Sequence, residues 1–134
     1  VSVLGGVYDF TTPKAIGRDF DSDPDMKKQC GGYDNNFIFN DFDGKLRRRC
    51  TLESPESGIK MTVSTDQPCV GVYTANMLDE DDVPFKGGVK QVKRSAVCFE
   101  TQKMPDAINH PEFTSTVLEP GEVYTHNTVF AFEA

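Results

Sequence analysis

The stretch GIKMTVST, Gly58 to Thr65, decides the fold class. Ile59, Met61 and Val63 alternate with Lys60, Thr62 and Ser64. A period of two sends successive side chains to opposite faces, so the stretch reads as a half-buried β-strand. The same alternation returns on either side. Upstream, NFIFNDFDGKLRRRCTLE (36–53) reads as two strands joined near Asp43-Gly44, a strong hairpin signal. SPESG (54–58) is the next turn. Downstream, CVGVYTANM (69–77) and VKRSAVCFE (92–100) are strand candidates. The tail GEVYTHNTVFAFEA (121–134) sets Tyr124, Thr128, Phe130 and Phe132 in phase as a closing strand.

No segment carries an apolar stripe at i, i+3, i+4, i+7. DAINHPEF (106–113) is the most helix-like piece, and Pro111 limits it to about one turn. The fold class is therefore all-β, strands joined by turns and a few longer loops. No linker or repeat divides the chain, and 134 residues suit one domain with a real core. The chain opens on Val1, with VSVLGGVYDF already in alternating apolar register, as if entering the middle of a fold.

Composition narrows the function. The formal net charge is −7, from 21 acids and 14 bases, which argues against nucleic-acid binding. The one cationic cluster, Lys45 to Arg49, reads as the solvated face of a strand. Cys30, Cys50, Cys69 and Cys98 form no C-x-x-C pair, so no zinc site is expected. Neither a membrane span nor a signal peptide is visible, and together with the free-thiol pattern this favours a cytoplasmic setting. DSDPDMKKQCGG (21–32) starts like a calcium loop at Asp21, Asp23 and Asp25. It fails at the positions of Met26 and Gly32, so it reads as a solvated loop. LDEDDVP (78–84) sets four acids together, which face water.

Three places carry polar groups suited to a ligand. In GGYDNNF (31–37), Gly31-Gly32 permits an unusual backbone turn, and Asp34 either accepts from a ligand hydroxyl or caps its own turn. In STDQPCVGVYTAN (64–76), Gln67 stands at a strand entry, where its amide both donates and accepts; it reads as a sugar contact or as a loop-edge residue. In AVCFETQKMPDAINHPEF (96–113), Glu100 ends the apolar run Val97-Cys98-Phe99 and reads as a base or a surface acid. His126 falls in the closing strand with a structural role, and His110 in a loop. Residue by residue, no complete mechanism emerges.

In this order and spacing, GGYDNNF, TDQPCVGVYTANML and VCFETQKMPDAINHPEFTSTVLEPGEVYTHNTVFAF resemble the C-terminal part of the aldose 1-epimerases (galactose mutarotases). GGVYDFTTPKAIGRDF (5–20) is similar to the family segment just before the first motif. The resemblance covers nearly the whole chain. It implies part of a large antiparallel β-sandwich, with residues 1–134 the C-terminal portion of a single domain. It also implies interconversion of the α and β anomers of free hexoses such as galactose or glucose, with no metal or organic cofactor. By matching motif positions it implies Glu100 as general base and Asp34 and Gln67 as groups that hold sugar hydroxyls.

The chain departs from the family at Asn35, where the family often has histidine. The family's general acid and a second sugar-binding histidine lie in segments before the part that matches Val1; neither His110 nor His126 stands in those motifs. The resemblance thus implies that an N-terminal segment of the same protein is needed for solubility and activity. Two alternatives stand beside this reading. One is a non-catalytic sugar-binding or regulatory module on the same fold; the other is an epimerase for sugar phosphates, with Arg47 to Arg49 as its cationic pocket.

Overall fold

The computed structural model describes residues 2–134; Val1 and the side chains of Asp25 and Gln29 lie outside that description. It contains α1 (Pro24–Gln29), β1 (Asp34–Ile38), β2 (Arg47–Glu53), β3 (Lys60–Thr65), β4 (Cys69–Tyr73), β5 (Cys98–Gln102) and β6 (Thr128–Glu133). Single 3-10 turns stand at Lys86–Gly88 and Ala107–Asn109. The strands form two three-stranded sheets, ordered β1-β4-β5 and β2-β3-β6. The all-β expectation holds, and Pro111 does confine the DAINHPEF helix to one 3-10 turn.

Four local readings change. The Asp43-Gly44 turn is real, with Gly44 at φ 72° and Asp43 accepting from the Lys45 N–H. It does not close a hairpin, because β1 and β2 belong to different sheets. Residues 39–46 separate the two strands, far longer than a two-residue turn, and that length lets the chain change sheets. The true hairpin is β2–β3 through SPESG. Second, the acidic loop contains α1. Asp23 accepts from the Met26 N–H at 2.8 Å and Pro24 takes the first helical position, a capped start that needs few residues. Third, Ser2 to Phe10 holds no strand; residues 4–8 are turns and a bend, with Gly5 at φ 74° and Gly6 N–H donating to Val3 O. Fourth, β5 begins only at Cys98, so Glu100 stands in mid-strand.

By contact the chain divides into two compact units: residues 1–35 with 72–98, and residues 36–71 with 99–134. The first is built around Tyr33, which is fully buried. Its ring meets Tyr8, Phe10 and Phe20 at centroid distances of 5.9, 5.1 and 5.7 Å, edge-on or tilted, as ring quadrupoles favour. Its hydroxyl donates to Val7 O at 2.7 Å and its N–H to Thr74 Oγ1 at 2.9 Å. Its carbonyl accepts from Asn76 Nδ2 at 2.8 Å. Burial pushes the phenol up to about 12. Gly32 is required for room here: a Cβ would stand 2.1 Å from Asn76 Oδ1 and 2.6 Å from Thr74 Oγ1. Gly31 supplies the expected unusual turn at φ 72°, and the Arg94 guanidinium donates to its carbonyl.

The second unit holds the whole β2-β3-β6 sheet. β3 is central and antiparallel to both neighbours, with Val63 opposite Cys50 on one side and Phe130 on the other. The alternation read from GIKMTVST puts Val63 and Thr65 fully inside; Met61 is half-buried and Ile59 exposed. The β2 register slips between Arg48 and Cys50. At this bulge the Arg49 side chain turns inward, 3% exposed, against Asp41 Oδ1 at 2.5 Å and over the Phe39 ring at 5.2 Å. The basic run is therefore not uniformly solvated: Arg47 is held by Asp43, and Arg49 is buried.

Candidate functional site

β5 reads Cys98-Phe99-Glu100-Thr101-Gln102. Period-two alternation sends Glu100 and Gln102 to one face and Phe99 and Thr101 to the other. Beside Glu100 on β4 stands Gly71, which is buried and has no side chain to fill the space above the strand. A Cβ there would lie 3.0 Å from Gln102 Nε2, 3.2 Å from Asn36 Oδ1 and 3.4 Å from Glu100 Oε2. Three polar side chains from β1 and β5 thus converge over one glycine. Gln102 Nε2 donates to Asn36 Oδ1 at 3.0 Å, so the amides form a pair next to the carboxylate. Glu100 is exposed in mid-strand and does not end a dry apolar run.

Gln67 sits apart from that cluster, between β3 and β4. It is 4% exposed. Its N–H donates to Thr65 Oγ1 at 3.1 Å and its Nε2 to Asp66 Oδ1 at 2.9 Å. Its Oε1 is buried without a hydrogen-bond partner among the described residues. An unpaired buried acceptor costs about 1–3 kcal/mol unless something donates to it. The residue lines a cavity of about 480 Å³ with Asp66, Phe42, Lys103 and Tyr124, within the usual range for a small-molecule pocket. Burial works against the Asp66 charge, but donation from Asn127 and Gln67 outweighs it and holds that carboxyl below its ordinary range. Glu100 is not among that cavity's lining residues, so the second unit presents two polar places.

Asp34 belongs to the first unit. It opens β1 with its side chain exposed, and its N–H donates to Asn35 Oδ1 at 3.1 Å. His126 takes no place beside Glu100. His126 lies ahead of β6, not within it. Its Nε2 is 3.0 Å from both Thr101 Oγ1 and Thr128 Oγ1, on the β5 face opposite Glu100. His110 lies in a loop against Glu112 at 3.2 Å and Asp106 at 3.5 Å. The thiols are free; burial pushes Cys50 and Cys69 up to about 11, which leaves them protonated and unreactive at neutral pH.

Sequence reading missed Asn36, Gly71 and Gln102 as site residues. Gln102 was within reach, since it is two positions from Glu100 and so shares its face. Asn36 and Gly71 carried no signal, because their approach depends on pairing between strands distant in the chain, 66 residues apart for Asn36 and Gln102.

A family model described as Aldose 1-epimerase matches residues 1–131. The galactose mutarotase of Bos taurus is 36% identical over 132 residues, covering 98% of this chain and 36% of the relative. That of Homo sapiens is 35% identical over 131 residues, covering 97% and 36%. The aldose 1-epimerase of Escherichia coli (strain K12) is 31% identical over 135 residues, covering 99% and 38%. The chain thus spans little more than a third of the length of the curated relatives it matches. Two β-sheets with scarcely any helix fit the β-sandwich class.

Proposed function

We propose, from the premise that the chain belongs to the aldose 1-epimerase family, that it carries the base half of a site interconverting α and β anomers of a free hexose. Glu100 takes the proton of the anomeric hydroxyl while a general acid protonates the ring oxygen. The C1–O5 bond breaks, the aldehyde forms, and rotation about C1–C2 presents its other face. Reclosure returns one proton to the new anomeric oxygen and one to the acid, so no net proton is used. The observation that carries this reading is an exposed carboxylate flanked by two neutral amides over a side-chain-free glycine. A neutral polar floor suits a neutral sugar.

Asp34 and Gln67 hold hydroxyls in this proposal, Gln67 through its unpaired Oε1. His126 stands on the β5 face opposite Glu100 and His110 is engaged with Glu112 and Asp106 in a loop, so we assign the general acid to a histidine in a segment N-terminal to residue 1 of the same domain. The exposure of Val129, Phe130 and Phe132 on β6 supports cover by such a segment. Among the described residues no helix is long and apolar enough to cross a membrane. The free thiols suit a reducing cytoplasm.

Polarimetry of fresh α-D-galactose tests the reading, on the protein as the cell makes it. Glu100→Gln should lower the rate by about 10²–10⁴-fold, because an amide does not accept the proton. Normal turnover by that variant rejects Glu100 as base. One observation favours a second reading, a non-catalytic sugar-binding module: Gln67, whose Oε1 has no hydrogen-bond partner among the described residues, lines a cavity that Glu100 does not line. It expects saturable galactose binding with no acceleration of mutarotation. A sugar-phosphate substrate finds little support, since Arg47 and Arg49 are already engaged by Asp43 and Asp41.

A further inference from the structure

The amide pair beside Glu100 has a geometry that its own hydrogen bond does not exhaust. Gln102 Nε2 donates to Asn36 Oδ1 at 3.0 Å. That bond uses one donor hydrogen of Gln102 and one acceptor of Asn36. Gln102 Oε1 still accepts, and Asn36 Nδ2 still donates. Glu100 Oε2 lies in the same cluster, over Gly71. A hydroxyl placed there would donate to Gln102 Oε1 and accept from Asn36 Nδ2. A hydroxyl is the group that needs both, and a neutral pair gives no reason to prefer an anion. Gly71 is what allows this arrangement. Any Cβ at that position presses on the Gln102 amide at 3.0 Å and the Asn36 amide oxygen at 3.2 Å, closer than side chains normally approach.

We infer that the Asn36–Gln102 pair, seated on Gly71, reads one particular hydroxyl of the aldose and so sets which sugar is preferred. This rests on the reading of Glu100 as the base of an aldose site. Asn36 and Gln102 are positioning residues: they hold the ring so that the anomeric hydroxyl reaches Glu100, and they move no proton.

The test uses D-galactose and its 2-, 3-, 4- and 6-deoxy forms, with binding read by calorimetry and turnover by polarimetry. Gln102→Met keeps the length and removes the amide. It should weaken galactose binding and raise KM by about 10-fold while kcat falls less than about 2-fold. One deoxy sugar should already bind the wild type about 10-fold more weakly, and Gln102→Met should weaken that sugar no further. Asn36→Ala, on another strand, should give the same signature, and combining the two should add nothing. Gly71→Ala should give a smaller loss of the same selectivity. Equal losses for galactose and all four deoxy sugars would mean a structural role and overturn the inference, as would no loss for any. Galactose binding without accelerated mutarotation would sink the Glu100 reading while the deoxy-sugar pattern still decides the pair. No binding of any aldose overturns both.

Discussion

The two compact units treat buried polar groups in opposite ways. Around Tyr33 in the first, hydroxyl, N–H and carbonyl are all paired, and Thr74 and Asn76 bond each other as well. The second leaves Gln67 Oε1 and Nε and Nη2 of Arg49 buried without a hydrogen-bond partner among the described residues, with Nη2 3.8 Å from Asp43 Oδ1. A satisfied network fixes one packing; our proposal gives the Gln67 acceptor to a sugar hydroxyl. The difference separates polar residues that build the fold from those our proposal assigns to a substrate. Residue type does not make this distinction, since Asn76 and Gln67 are both buried amides.

That contrast is open to attack by mutation. The largest effect is expected from Gly32→Ala. Its Cβ would overlap Asn76 Oδ1 and Thr74 Oγ1, so the network about Tyr33 has to break. We expect a loss above about 3 kcal/mol in urea unfolding. A variant within about 1 kcal/mol of wild type would show that the network is loosely held.

A matched pair of substitutions sharpens the comparison further. Thr74→Val leaves the Tyr33 N–H unpaired and should destabilise by about 1–3 kcal/mol, with galactose affinity unchanged. Gln67→Leu removes an acceptor with no hydrogen-bond partner among the described residues, and Asp66 keeps its bonds to Asn127. Its stability should stay within about 1 kcal/mol of wild type while galactose affinity falls about 10-fold or more. Equal destabilisation by both variants, with affinity preserved, would erase the distinction between the units.

The smallest effect is one the units share. Arg18 and then Lys14 hold Asp19 down to about 2, and Arg47 chiefly does the same for Asp43. Each folded pKa lies below the ordinary 3.8, so each carboxylate contributes stability that is fully present above that value. It is lost as pH falls through 3.8 toward about 2. The urea midpoint should be flat from neutral pH down to about 5 and then decline. Asp19→Asn should make the decline shallower. A midpoint that rises on acidification would contradict these ion pairs.

Much of this molecule was legible because alternation is local. GIKMTVST declares a strand, and Val63 is buried as that period requires. The Asp23-Pro24 start of α1 was written in the sequence too, but its six residues are too few to show a helical stripe. The motif around Glu100 was readable as a family resemblance, which the match over residues 1–131 supports. Which strands pair was not readable. Asp43-Gly44 makes a turn whether or not the flanking strands meet, and here they join different sheets. The approach of Asn36 and Gln102 over Gly71, the lack of room at Gly32 and the unpaired oxygen of Gln67 were decided by tertiary structure alone. Each depends on atoms brought close by chain far away in sequence, and local period and propensity carry no record of such distances.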